Sequence, residues 1–229
     1  MNMPLALNAV GDEQRGDHYY LQASAQCFYW GEYTPHENTK GKLSDFSPTN
    51  RLVSNLKKRM TRAREPDWKY KRQAIASCAA AFTAMWKKQG ILVPDVTFIP
   101  MPPSRARGDQ NYDPRILEIL NLINRPQGLI DIRDCLAFDG RYAASHDTKN
   151  RPGPDELYSA LQFDGNAGRQ TVRPAAIVLF DDMLTSGAHF VAASRRLTEI
   201  FPGVLIQGHF IARRVLPSAA DAFSDFDIL

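Results

Sequence analysis

One segment constrains the fold of this chain more than any other. Residues 175–180, Ala-Ala-Ile-Val-Leu-Phe, form an unbroken apolar run that ends at once in Asp181 and Asp182. Continuous rather than alternating apolarity is the pattern of a strand buried on both faces, as in a parallel sheet. Helices and strands alternate around it. Ile75, Cys78, Ala79, Phe82, Met85 and Trp86 recur at threes and fours, which predicts a long amphipathic helix opened near Asp67 and stopped by Gly90. Strands are expected over 95–100, 129–138 and 204–211, and helices over 116–123, after Pro114, and over 187–201. This alternation from about residue 67 onward predicts an α/β domain with a central, mostly parallel sheet flanked by helices.

The rest of the chain sets limits. Its 229 residues, 44% of them hydrophobic, suffice for a sizeable core. A net charge of +3 is too small by itself to argue for a nucleic-acid partner. No apolar stretch approaches the roughly 20 residues of a membrane helix, and the first residues show no secretory leader. Cys27, Cys78 and Cys135 lie far apart, so neither a disulfide framework nor a zinc site is expected. A cytoplasmic protein with no membrane association is the expectation, and an oligomer is left open. His18, His36 and His209 show no metal-ligand spacing, and no metal held by the protein alone is expected.

Residues 1–66 read differently from the α/β part. Tyr19, Tyr20, Phe28, Tyr29, Trp30 and Tyr33 suggest short strands or an extended layer packed over something else. A polar loop follows over 35–48, and Thr49 or Asn50 is read as the cap of a short basic helix over 51–60. The basic stretch 51–72 is either a solvated helix face or a surface for nucleic acid or an acidic protein. The chain thus divides into an N-terminal cap or hood (1–66), an α/β domain (67–216) and an acidic C-terminal tail (217–229).

The chemistry concentrates in residues 177–189, where the acidic pair is followed by Met183-Leu184-Thr185-Ser186-Gly187-Ala188-His189. Ligands of parallel sheets bind at the carboxyl ends of strands. Amides at a helix N-terminus, with Thr and Ser hydroxyls beside them, suit a phosphate. Two carboxylates one turn away can accept hydrogen bonds from vicinal hydroxyls, so a sugar phosphate fits. Two rivals fail on spacing: a haloacid-dehalogenase strand needs Asp-x-Asp, and a Walker B strand lacks its GxxxxGK[ST] partner here. A plain strand–turn–helix with solvated acidic residues remains the simplest alternative.

This stretch resembles the phosphoribosyl pyrophosphate (PRPP) motif of type I phosphoribosyltransferases over 13 consecutive residues. The resemblance implies that fold, with Asp181 and Asp182 holding the ribose hydroxyls and Thr185, Ser186, Gly187, Ala188 and His189 cradling the 5′-phosphate. His189 departs from the family's Thr. Upstream, Phe98-Ile-Pro-Met-Pro-Pro-Ser-Arg-Ala-Arg-Gly-Asp-Gln-Asn111 resembles the pyrophosphate loop of the ComF-like and amidophosphoribosyltransferase-like subgroup, with Arg107-Gly108-Asp109-Gln110-Asn111 a shuffled form of its motif and without the ComF-like zinc module. Pro103, Ser104, Arg105 and Arg107 would then bind pyrophosphate. Loop 139–154 takes the place of the family's flexible catalytic loop, with Lys149 and Arg151 neutralising the leaving group. The implied reaction transfers phosphoribosyl from PRPP to a nitrogen acceptor with release of pyrophosphate, aided by Mg²⁺ bound mainly through PRPP. The competing expectation is a catalytically altered regulatory or partner-binding module, an effector subunit of a bacterial defence assembly being one setting for it.

Overall fold

A computed structural model describes residues 3–125, 130–140, 152–167 and 172–216. Its centre is a six-stranded sheet in the order β1-β2-β8-β7-β3-β4. The strands are β1 (Asn8–Ala9), β2 (Gln26–Tyr33), β3 (Val96–Pro100), β4 (Asp131–Ile132), β7 (Ala176–Leu184) and β8 (Leu205–Arg214). All neighbours pair in parallel except β1, which is antiparallel to β2. The short strands β5 (Leu136–Phe138) and β6 (Leu161–Phe163) form a separate antiparallel pair. Among the described residues no helix is long and apolar enough to cross a membrane.

The unbroken apolar run explains how the layers stack. Along β7, Val178 and Phe180 enter one core with Trp86 and Phe82, while Ile177 and Leu179 enter another with Phe190 and Leu197. The first core belongs to α2 (Pro48–Leu56), α3 (Trp68–Gln89) and α4 (Arg115–Asn124). The second belongs to α5 (Pro154–Ala160) and α6 (Ala188–Ile200). A four-residue helix, α1 (Asp12–Arg15), precedes β2. On the α3 side the Phe82 ring lies 4.7 Å from Phe180 and 5.1 Å from Trp86, centroid to centroid. Each such aromatic pair adds about 0.5–1.5 kcal/mol beyond its area burial.

Helix α3 has the bounds its sequence predicts. Asp67 precedes it and Gly90, at φ 69°, closes it in the left-handed conformation that glycine adopts without strain. Three other expectations need correction. Helix α2 starts before Thr49 and Asn50, because Ser47 caps it, its Oγ accepting from the Asn50 amide at 3.0 Å, with Pro48 in the first turn. The Asn50 side chain is committed elsewhere, bridging the amide and carbonyl of Thr34 at 3.2 and 2.7 Å. Within the expected strand region 129–138, the described residues 130–138 hold two strands in different sheets rather than one. Between them Arg133 turns inward to Asp131 at 2.7 Å, and Thr97 donates to the same carboxylate at 2.7 Å. Finally, β7 continues through the acidic pair to Leu184, which pairs with Arg213 of β8.

The N-terminal segment contributes to the main sheet instead of lying over it. Strand β2 pairs with β8 from Gln26↔Gln207 to Tyr33↔Arg214, and Trp30 packs edge-on against Phe82 at 5.9 Å.

Connections leave the β3/β7 pair in opposite directions. β3 passes through α4 to β4 on one side, and β7 passes through α6 to β8 on the other. Helices α4 and α6 therefore lie on opposite faces, and a crevice opens between the carboxyl ends of β3 and β7. Such switch points are where open α/β sheets bind ligands.

Candidate functional site

At that switch point lies a cleft of about 1500 Å³. The backbone joins its two walls directly, since the Met101 amide donates to the Phe180 carbonyl at 2.8 Å. From the β3 side the cleft receives Pro103, Ser104 and Arg105, and from the β7 side Asp181, Asp182, Thr185, Ser186, Ala188 and His189. Two segments some 80 positions apart in sequence thus face one space. Arg105 also pairs with Asp109 at 3.3 Å. Arg107 lines a smaller neighbouring cavity of about 570 Å³. Its guanidinium is held by the Asp134 carboxylate at 2.9 Å and the Asp134 carbonyl at 2.7 Å. Lys149 and Arg151, and most of the loop that carries them, lie outside the described residues.

The turn after β7 is built for close approach. Gly187 sits at φ 88°, immediately before α6, and supplies no side-chain cap. The first-turn amides of α6 therefore have no side-chain acceptor from the N-cap, at an end where the helix dipole favours an anion. The far side of this turn is fastened by the N-terminal segment. The His18 Nδ1–H donates to the Thr185 carbonyl, the Tyr20 amide donates to the Ser186 carbonyl at 3.0 Å, and Leu21 packs on Gly187. Burial holds the His18 pKa below its ordinary value. His189 lies edge-on to Phe138 at 5.6 Å.

Strand alternation sends the two carboxylates to different surroundings. Asp182 points toward the α2–α4 layer, where its side chain is 5% exposed. Arg115, at the start of α4, donates through Nε to Asp182 Oδ2 at 2.6 Å and adds a second contact through Nη2. Lys57 reaches Oδ1 at 3.2 Å. Burial opposes ionisation of Asp182, but Arg115 and Lys57 together outweigh it and hold the carboxyl well below the usual range. Arg115 also pairs with Asp113 at 2.7 Å, and Asp113 with the buried Lys71 at 2.7 Å. Three cations and two carboxylates alternate through this chain.

Asp181 points into the cleft. Its Oδ1 accepts from the Asp182 amide at 2.7 Å, and it makes no ion pair among the described residues. Burial, then the charge of Asp182 beside it, pushes its pKa above the carboxylate range. Two adjacent carboxyls are thus driven apart, one fixed as an anion and the other disposed to hold a proton.

No family model matches this chain, and no curated protein does. Among the described residues no three His, Cys, Asp or Glu side chains are grouped to hold a metal.

The sequence does not single out Arg115 or Asp113; it places Lys57 and Lys71 only in the basic stretch 51–72 and gives His18 no role. The one available signal was the charge of Asp113-Pro114-Arg115 at a helix start, and nothing local connected it to residue 182. Of the other histidines, His36 lines the cleft, whereas His209 is buried and accepts a hydrogen bond from the Trp86 indole at 2.9 Å.

Proposed function

We propose that the cleft binds PRPP and transfers its phosphoribosyl group to a nitrogen acceptor, on a domain of the type I phosphoribosyltransferase fold. One observation carries the reading. A strand carrying paired acids near its carboxyl end, followed by a Thr-Ser-Gly turn, faces, across one switch-point cleft, an Arg-bearing loop from the adjacent strand. In this reading the first turn of α6, with Thr185 and Ser186, holds the 5′-phosphate. Asp181 meets the ribose hydroxyls, and Ser104 and Arg105 meet the pyrophosphate. Asp182, closed by Arg115 and Lys57, fixes the end of β7 rather than touching the sugar. Lys149 and Arg151 belong to the reading from sequence alone.

As the C1–O bond breaks, pyrophosphate departs with the bonding electrons and positive charge develops on the ribose. The acceptor nitrogen's lone pair then forms the bond to C1. Arg105 and the amides at the two loops stabilise the leaving group and the fixed phosphate, and Asp181, ionising as positive charge develops on the ribose beside it, stabilises that charge. Mg²⁺, when bound, supplies further neutralisation of the pyrophosphate. Lacking a protein cage among the described residues, it would be held by the ligand's own oxygens.

Calorimetry with PRPP and Mg²⁺, beside an assay of pyrophosphate release over a panel of nitrogen acceptors, tests this. Binding weakened at least tenfold by Thr185→Ala with Ser186→Ala, together with pyrophosphate release, is expected; absence of PRPP binding overturns the reading. The engaged states of Asp182 and Arg107 favour a second one, a module that binds PRPP or a nucleotide without turnover. Tight binding with no pyrophosphate release on any acceptor would select it.

A further inference from the structure

The cleft extends past β7 to the carboxyl ends of β8 and β2, and this second lobe has a chemistry of its own. Its floor is apolar. Met183 of β7 and Val53 of α2 cluster with Ala212 of β8, and Tyr33 at the end of β2 packs against them. Tyr33 also lies 6.1 Å from the His36 ring. Its rim is cationic, with Lys57, Arg59 and Arg214 all lining the cleft. Lys57 is 42% exposed while touching Asp182, so the lobe adjoins the acidic pair.

Several basic residues of the stretch 51–72 are committed to carboxylates. Arg51 pairs with Asp45, Lys58 and Arg62 with Asp67, and Lys71 with Asp113. Arg59 is exposed, faces the cleft, and makes no ion pair among the described residues. Among the described residues Glu37 is the one carboxylate that the β2 side of the cleft contributes, and cations outnumber anions there. A guanidinium beside an apolar floor suits a flat ring carrying a carboxylate, which it can grip through two parallel hydrogen bonds.

We propose that this lobe is the acceptor subsite, and that the acceptor is a planar nitrogen heterocycle bearing a carboxylate. The ring lies on Met183 and Tyr33 and the carboxylate meets Arg59. The proposal rests on the phosphoribosyl-transfer reading for the reaction. The ring nitrogen's lone pair forms the N–C1 bond as pyrophosphate leaves with the C1–O electrons, and a proton on that nitrogen, where present, passes to solvent through the open cleft.

The test measures binding of two matched pairs to the full chain by calorimetry, with and without PRPP and Mg²⁺. The pairs are orotate against uracil and nicotinate against nicotinamide. At least one carboxylated probe should bind tenfold or more tightly than its neutral partner. Arg59→Gln should remove that preference while leaving PRPP affinity within about twofold. Equal binding within both pairs, no binding by either carboxylate, or a preference that survives Arg59→Gln overturns the proposal. A carboxylated probe that competes with PRPP rather than joining it also counts against the subsite. Because the probes are titrated without PRPP as well, failure of PRPP to bind is read separately from failure of the carboxylate preference.

Discussion

Replacing Arg115 by Met should be among the most damaging single changes near the cleft. Asp182 loses both contacts to Oδ2 and keeps only Lys57 at 3.2 Å, from a lysine that is 42% exposed. Removing one partner of a buried ion pair costs about 3–5 kcal/mol. Arg115 itself is 18% exposed, and Asp113 keeps Lys71, so the lower end, about 3 kcal/mol, is expected. For a chain of this size that corresponds to roughly 6–12 °C in Tm. Asp182→Leu alone should cost a similar amount, because Arg115 then faces Asp113 only. The double variant removes both charges together and should cost well under the sum, leaving a coupling of about 2 kcal/mol or more. Urea unfolding at pH 7 reads all three. Asp182 is held below the unfolded carboxylate pKa, so its stabilisation is present above that pKa and is lost as pH falls through the folded value. The Arg115→Met penalty should accordingly be largest at neutral pH and shrink toward pH 4, where the freed carboxyl can take a proton. Additive single effects, or a penalty that does not change with pH, would refute the reasoning.

Three further outcomes are expected. Gly187→Ala puts a Cβ 2.8 Å from Leu21 Cδ2 at φ 88°; it should cost about 1–2 kcal/mol from backbone strain alone, read by urea unfolding, and weaken PRPP binding in calorimetry. Asp181, whose pKa is raised on folding, holds its proton in the native state after the unfolded chain has lost it, so stability falls as pH rises through that interval. Asp181→Asn should therefore raise Tm at pH 8 and make little difference at pH 4, and a thermal scan across pH measures it. Cys27, Cys78 and Cys135 are all buried, and burial pushes the Cys27 and Cys135 thiols up to about 12; a thiol reagent should label none in the native protein and all three in denaturant.

How much of this was legible depended on the range over which each residue acts. Helix α3 carries its period and its Gly90 stop within 23 residues, so local reading sufficed. The same holds for the strand–turn–helix at 176–200, where apolarity, the acidic pair and Gly187 are contiguous. Ser47-Pro48 was also a local signal, but Thr49 and Asn50 offered equally good caps. What could not be read was long-range: the pairing of β2 with β8, the reach of Arg115 to Asp182, and the anchoring of Thr185 by His18. The end of β7 lies beyond local reading for the same reason. An acidic pair reads as a strand end unless distant cations neutralise it, and Arg115 and Lys57 do so for Asp182.

The position of β2 has a consequence during synthesis. Its partner residues on β8 lie 181 positions further along the chain. At roughly 5–20 residues per second, an aromatic strand waits some tens of seconds with one edge unpaired. Throughout that interval Phe28, Tyr29 and Trp30 present a template for intermolecular pairing. The nascent chain thus exposes this strand early and satisfies it late.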